Sequence, residues 1–393
     1  MTSRADVQSI EIKDRHIHIS WADGHASRFP FLWLRDHCKA ESSMHPSSGH
    51  RLFETASLDP NISAAKAEST DGVLIVEWDG DSGISTIPCS WLRDHCMSEQ
   101  ERERRAPKPQ LWSSDNAPGR VHHFEKMGAE DDALYQFMAD IRDFGFARAT
   151  GVPTDHHAVT KVVELFGYVR ETNYGKVFDV ESTIDAVHLA YTPVALSMHT
   201  DNVYRNPMPG LQFLHCLETS VGGGEAILVD GFKIAETLRK EDPEAFEVMT
   251  EVPVAFRYTE EGTDLRNAET LIDLDFSGAL TRVKLNNRSA APALVSEERA
   301  EAFYRAYQSF ATIAERDSLK YVFSMKPGDL WAINNQRVMH GRTGFDPSVG
   351  GRRHMQGCYA DRDSLDSKLR VLAKRLGLNL LDAASPGSPE LTR

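Results

Sequence analysis

The stretch Pro327-Gly328-Asp329-Leu330-Trp331-Ala332-Ile333-Asn334-Asn335-Gln336-Arg337-Val338-Met339-His340-Gly341-Arg342 reads as a strand, a tight turn and a returning strand. Apolar runs flank an Asn-Asn pair, and asparagine tolerates turn conformations that most side chains resist. The returning strand delivers His340, and a further strand carries Arg353 thirteen residues on. Working outward, strands are predicted at 210–216, 225–229, 252–258, 281–286, 320–324, 329–333, 336–340 and 353–360. A helix at 295–316, with Phe303, Tyr307, Phe310 and Ile313 near i, i+4 and i+7 spacing, interrupts them. Helices at 129–143 and 157–167 precede the strands and one at 362–377 follows. Many short strands with a few helices predict a mainly β chain with flanking helices. A jelly-roll double sheet fits, and it leaves an open mouth for a ligand.

The first hundred residues alternate apolar and polar positions in short runs, such as His16-Ile17-His18-Ile19 and Val73-Leu74-Ile75-Val76-Glu77-Trp78. That pattern predicts a small β-rich domain over 1–98. Within it the hexapeptide Trp-Leu-Arg-Asp-His-Cys occurs twice, at 33–38 and 91–96, which reads as a duplicated structural corner ahead of a shared metal site. The charged, proline-bearing stretch beginning at Glu99 reads as a linker over 99–120, leaving 121–393 as the second domain.

With 393 residues, 41% hydrophobic and 26% charged, the chain can bury a core of ordinary size, and two domains are the default. The net charge of −14 argues against a nucleic-acid binder, which needs a basic face for phosphates. The N-terminus lacks an apolar signal region and no stretch approaches a membrane span, so a cytoplasmic, membrane-free protein is expected. Five scattered cysteines do not form a disulfide framework.

The chemistry-bearing feature is His199-Thr200-Asp201 followed by His340. Side chains two apart on a strand share a face, so His199 and Asp201 point together, and His340 completes two histidines and one carboxylate. That set holds non-haem iron(II) and leaves adjacent positions open. Among 16 histidines one such pair arises by chance, and His123-Phe124-Glu125 is comparable; the later strand–turn–strand carrying His340 makes the difference. Arg353 suits a dicarboxylate co-substrate, which needs a fixed bidentate cation.

The sequence resembles the γ-butyrobetaine and trimethyllysine hydroxylases of the taurine-dioxygenase superfamily over nearly its whole length. Matching segments include Phe31-Leu32-Trp33-Leu34-Arg35-Asp36, Val187-His188-Leu189-Ala190-Tyr191-Thr192, Gly210-Leu211-Gln212-Phe213-Leu214-His215-Cys216, Val229-Asp230-Gly231-Phe232 and Tyr359-Ala360-Asp361. The resemblance implies a double-stranded β-helix oxygenase domain and a small N-terminal domain. It implies iron(II) on His199, Asp201 and His340, with 2-oxoglutarate on Arg353 and O2 as the other co-substrate. Stimulation by ascorbate and a homodimer are also implied. An aromatic cage for a trimethylammonium group, held by cation–π attraction, maps onto Tyr174, Phe178, Tyr191 and Tyr359.

At the anion end Asn287 is followed by Arg288, with His188 and Asn202 as further donors. The added charge suits an anion with more oxygens than a carboxylate. It resembles relatives that hydroxylate 2-(trimethylamino)ethylphosphonate next to phosphorus. The alternatives are γ-butyrobetaine hydroxylation to carnitine, a generic sulfonate oxygenase and a non-catalytic betaine-binding protein.

Relatives carry a structural zinc after the Arg-Asp pair, whereas here Cys38 stands with Ala40 and Ser43 at the other cysteine positions. One thiolate cannot close such a site, and even with His45, His50 or His95 as substitutes no structural zinc is expected.

Overall fold

The computed structural model describes residues 3–80, 83–106, 108–181, 194–220, 222–345 and 352–378. The chain divides into two compact units after Pro107. In the first, β1 (Val7–Lys13), β2 (His16–Trp21) and β3 (Ala26–Pro30) form an antiparallel sheet that runs into helix α1 (Phe31–Asp36). The same sequence of elements then recurs as β4 (Ala64–Thr70), β5 (Val73–Trp78), β6 (Ile84–Pro88) and α2 (Cys89–Asp94).

The repetition extends to single atoms. Asp14-Arg15 and Asp71-Gly72 both turn their hairpins with positive φ, the backbone twist that two-residue hairpins favour. Ile17, Ile19 and Trp21 are buried on β2 as Leu74, Val76 and Trp78 are on β5. Trp21 donates to Ser27 at 2.7 Å, and Trp78 to Ser85 at 2.9 Å. The two copies of the hexapeptide meet: Trp33 stacks on Trp91 at 5.5 Å, flanked by His37 on Trp33 at 4.4 Å and His95 on Trp91 at 3.9 Å. Cys38 and Cys96 are buried, and Cys96 lies 3.0 Å from the Ser27 hydroxyl of the opposite half. The duplicated hexapeptide is thus a paired structural corner.

The stretch read as a linker begins as helix α3 (Glu99–Arg105). Its charge run resembles a solvated segment, but Ser98 and Glu101 form the spacing of a capping box, with Ser98 accepting from the Glu101 amide. Glu101 is buried among arginines, 2.6 Å from Arg93 and 2.8 Å from Arg104. Burial pushes its carboxyl up, but the Arg104 hydrogen bond and the Arg93 charge outweigh this and hold it below the ordinary range. The folded value lies below the unfolded one, so this stability is present above the unfolded carboxylate range and is lost as pH falls through the folded value. Glu101→Gln is expected to cost the unit about 1–3 kcal/mol in urea unfolding and to flatten its acid limb, because buried Arg93 keeps, among the described residues, only Asp23, 2.9 Å away, as its acid. An unchanged midpoint would show that the cluster is only a surface decoration.

The second unit opens with β7 (Val121–His123), α4 (Phe124–Ala129), α5 (Asp131–Phe144), β8 (Phe146–Thr150), α6 (Val159–Glu164), β9 (Val169–Arg170) and β10 (Phe178–Glu181). Next come β11 (Leu196–His199), β12 (Leu211–Thr219), β13 (Ala226–Asp230), α7 (Gly231–Glu241) and α8 (Pro243–Glu251). A peripheral run follows, with β14 (Val254–Glu260), β15 (Thr263–Glu269), β16 (Ile272–Leu274), β17 (Leu280–Val283), β18 (Ala290–Ala293) and α9 (Glu297–Ala314). The chain returns through β19 (Tyr321–Phe323), β20 (Leu330–Asn334), β21 (Val338–Arg342), β22 (Arg353–Ala360) and α10 (Arg362–Arg375).

A large sheet ordered β10-β22-β12-β20-β8-β7 and a smaller one ordered β11-β21-β13-β19 form the double-stranded β-helix. Strand alternation sorts the core into layers. Ala226 and Leu228 of β13 join Trp331, Ile333 and Met355 of the large sheet in one cluster between the sheets. Ile227 and Val229 instead face outward with α7, α8 and α9, while Phe213, Ala332 and Cys358 pack outward on α5, α6 and α10. No described helix is long and apolar enough to cross a membrane.

Candidate active site

The turn between β20 and β21 is closed by Arg337 N–H donating to Asn334 O at 3.0 Å, so Val338–Arg342 returns along the small sheet. There His340 is the direct cross-strand partner of His199 on β11. Thr200 turns away, donating its backbone N–H to Leu285 O at 2.7 Å, and Asp201 comes back to the histidine face. Asn335 brackets the Asp201 backbone: its Oδ1 accepts from Asp201 N at 2.8 Å and its Nδ2 donates to Asp201 O at 2.9 Å. The turn that leads to His340 therefore also fixes Asp201.

The three side chains converge. Asp201 Oδ1 lies 3.4 Å from His199 Nε2 and 3.9 Å from His340 Nε2, and one ligand atom from each residue falls within 4.8 Å of the others. The remaining valences suit a metal. His199 Nδ1 lies 2.8 Å from Ser197 O, which orients the ring and turns Nε2 toward Asp201. Asp201 Oδ2 accepts from Gln212 Nε2 at 2.7 Å and from the Tyr359 hydroxyl at 2.8 Å, leaving Oδ1 open. Burial and the neighbouring His199 push His340 down to about 3, which keeps the ring neutral, as a ligand must be. Burial would raise the Asp201 carboxyl, but His199 and His340 hold it well below the carboxylate range. The donor set therefore fits a divalent ion with nitrogen and oxygen preference.

The trio opens into a cavity of about 510 Å³ between the sheets. Arg353 lines it and is buried, and no carboxylate pairs with it among the described residues. Burial lowers its pKa, opposed by the Cys216 thiol. Gly224, at φ +73, lies against it, and a Cβ there would stand 3.2 Å from the Arg353 Nε. Arg342, pushed down to about 10 by burial and by the charges of Arg353 and Arg288, donates to Val194 O at 3.0 Å.

Three of the four predicted cage residues come together. Phe178 stacks on Tyr359 at 5.1 Å, with Tyr174 6.3 Å from Phe178. Tyr191 and His188 lie outside the described residues. Two aromatics absent from the sequence reading complete the wall: Tyr204 stacks on Tyr258 at 4.9 Å, and Tyr174 shares a 3.0 Å hydroxyl contact with Tyr204. Their only sequence signal was an aromatic three positions after Asp201 and another on a distant strand.

The anion end is corrected in one position. Asn286, not Asn287, faces the cavity, buried and donating to Thr200 O at 2.9 Å. Asn287 points into a separate groove beside the Tyr307 hydroxyl at 3.4 Å. The chain turns here, with Ser289 N–H donating to Asn286 O at 3.3 Å, and the turn sends the two asparagine side chains to different sites. Arg288 does reach the cavity. It stays solvent-exposed there, yet crowding by protein lowers its pKa against the pull of Asp201. Asn202 also lines the cavity, at φ 58, its Oδ1 accepting from the Tyr204 hydroxyl and its Nδ2 buried with no partner among the described residues.

A double-stranded β-helix with two histidines and an aspartate at its mouth defines a non-haem metal oxygenase. The chain belongs to the taurine catabolism dioxygenase TauD, TfdA family, whose profile matches residues 110–359. The γ-butyrobetaine hydroxylase-like N-terminal profile matches residues 9–73. It is an Fe(II)/2-oxoglutarate-dependent dioxygenase. A γ-butyrobetaine dioxygenase of Pseudomonas sp. (strain AK-1) is 37% identical over 362 residues, 91% of this chain and 94% of that one. A trimethyllysine dioxygenase of Meyerozyma guilliermondii is 30% identical, over 91% of this chain and 93% of that one. A taurine dioxygenase structure from Burkholderia xenovorans aligns with a TM-score of 0.47 at 14% identity, over 58% of this chain and 81% of that one.

Proposed function

We propose that the protein hydroxylates a small zwitterion with a trimethylammonium head and a phosphonate end, 2-(trimethylamino)ethylphosphonate, at the carbon next to phosphorus. The observation that carries this is Arg288, a cation in the cavity with no carboxylate partner among the described residues, additional to Arg353. In this reading His199, Asp201 and His340 hold Fe(II), and Arg353 takes the distal carboxylate of 2-oxoglutarate. When bound, the two supply O2 activation coupled to decarboxylation of the oxoacid to succinate and CO2.

The chain's own residues choose the C–H bond by position. Tyr174, Phe178, Tyr359, Tyr204 and Tyr258 line the cavity and offer it a cluster of aromatic rings for the cation. Arg288 and the Asn202 amide, unpartnered among the described residues, offer donors to the anion. A phosphonate brings three oxygens and up to about two negative charges, more than a carboxylate needs from the site. The second reading, γ-butyrobetaine, is favoured by the names of the relatives at 37% and 31% identity.

Succinate formation with Fe(II), ascorbate and each substrate in separate tubes tests the choice. Turnover of the phosphonate alone supports the reading; turnover of γ-butyrobetaine alone sinks the anion site while keeping the cage. Binding without any succinate release would make the protein a betaine binder. Arg288→Ala is expected to raise KM for the phosphonate about 10–100-fold, the loss of a charge-assisted hydrogen bond, with KM for 2-oxoglutarate little changed. An unaltered phosphonate KM would remove Arg288 from the site.

A further inference from the structure

Strand β10 carries the cage residue Phe178, yet it is a four-residue edge strand whose neighbour in the sheet is β22. Among the described residues it pairs with β22 alone, over four backbone positions, so side-chain contacts weigh more in fixing where it lies. Phe178 and Val180 face the cavity, so Asp179 and Glu181 face the other way. Directly across from Phe178 stands Gly357, and the ring lies over it: a Cβ there would fall 2.2 Å from Cζ and 2.5 Å from Cε2 of Phe178. On the reverse face Asp179 Oδ1 lies 2.6 Å from His354 Nε2 and accepts from Gln356 Nε2 at 2.9 Å. Gln356 is itself fixed, since its Oε1 accepts from His157 N at 2.7 Å. His354 and Gln356 are buried on β22, which is in turn paired along its length to β12.

We propose that Asp179, clamped by His354 and Gln356, is a positioning residue that sets the Phe178 ring against Gly357 and so fixes the size of cation the cage accepts. This rests on the reading of Tyr174, Phe178 and Tyr359 as a cation cage. β22 also carries Arg353 and Tyr359, but its place in the sheet interior holds it independently of β10. Release of the clamp therefore loosens one wall of the cage and leaves the co-substrate arginine in place. A methyl group on residue 357 acts from the opposite side, driving the ring into the cavity.

The test compares Asp179→Ala, Asp179→Asn, Gly357→Ala and Phe178→Leu in the full chain with Fe(II), measuring KM for 2-(trimethylamino)ethylphosphonate, or for γ-butyrobetaine if that is the substrate turned over, and for 2-oxoglutarate. Asp179→Ala is expected to raise the ammonium-substrate KM about ten-fold, the loss of one good cation–π face, with 2-oxoglutarate KM within about two-fold. Asp179→Asn keeps an acceptor for both partners and is expected to restore nearly wild-type values. Gly357→Ala is expected to shift kcat/KM toward the dimethylated analogue, whose head is smaller. If Phe178→Leu leaves the ammonium KM unchanged, the cage reading fails. If Phe178→Leu raises it while Asp179→Ala and Gly357→Ala do not, the clamp is overturned and the cage stands. Equal increases in both KM values for Asp179→Ala would make its role merely structural and overturn the proposal. Should Asp179→Ala fail to fold, an unchanged preference in Gly357→Ala overturns it alone.

Discussion

Asp201→Ala is expected to abolish coupled turnover, by at least about a thousand-fold, and to remove most of the affinity for a divalent metal. Losing an outer-shell partner of a metal ligand costs about 10–100-fold, and losing the ligand itself costs more. No other acid lines the cavity among the described residues, so nothing takes its place. Gln212→Leu is expected to fall between the variant and the wild type. Gln212 reaches Asp201 Oδ2, the oxygen turned away from the two histidines, and its loss frees the carboxylate to rotate. Titration with Mn(II) or Co(II) reads this without turnover. An Asp201→Ala protein that still binds Mn(II) like the wild type would place the metal elsewhere.

Arg353→Met is expected to raise KM for 2-oxoglutarate about 100–1,000-fold while leaving the unliganded protein no less stable. The guanidinium is buried without a carboxylate partner among the described residues, and an apolar side chain of similar volume removes that desolvation cost. A buried charge pair with the co-substrate, once broken, costs several kcal/mol, which gives the size of the KM effect. Stability and affinity therefore move apart. In thermal melts the wild type gains stability from added 2-oxoglutarate by mass action, and the variant gains none at the same concentration. A wild-type KM in the variant would mean that another cation holds the co-substrate.

The strand–turn–strand around His340 was legible because its signal is local. Apolar runs, an Asn-Asn turn and two-residue periodicity depend on near neighbours, and the observed β20, β21 and β22 lie within two residues of expectation. What failed was an unread turn at 286–289, and distance. Asn286 and Asn287 are indistinguishable by composition, and only the Asn286 bond to Thr200 decides which one enters the cavity. Tyr204 and Tyr258 stack although they are 54 positions apart, a contact no periodicity announces. The run beginning at Glu99 misled for another reason. Charges normally mark solvated segments, but here Glu101 gathers arginines from three parts of the unit, Arg4, Arg93 and its own helix.

The doubled architecture of the first unit bears on how it folds as it is made. Each half is a run of hairpins joined by short turns, so most of its contacts are near in sequence and form quickly. The contacts that join the halves, Trp33 on Trp91 and Ser27 on Cys96, span 58 and 69 positions. At ribosomal rates the first half waits roughly 3–12 s for its counterpart. During that interval it exposes the tryptophan face that its twin will cover. A second nascent copy of the same half presents a matching face, so domain-swapped pairing between chains is the characteristic misfolding hazard of this unit.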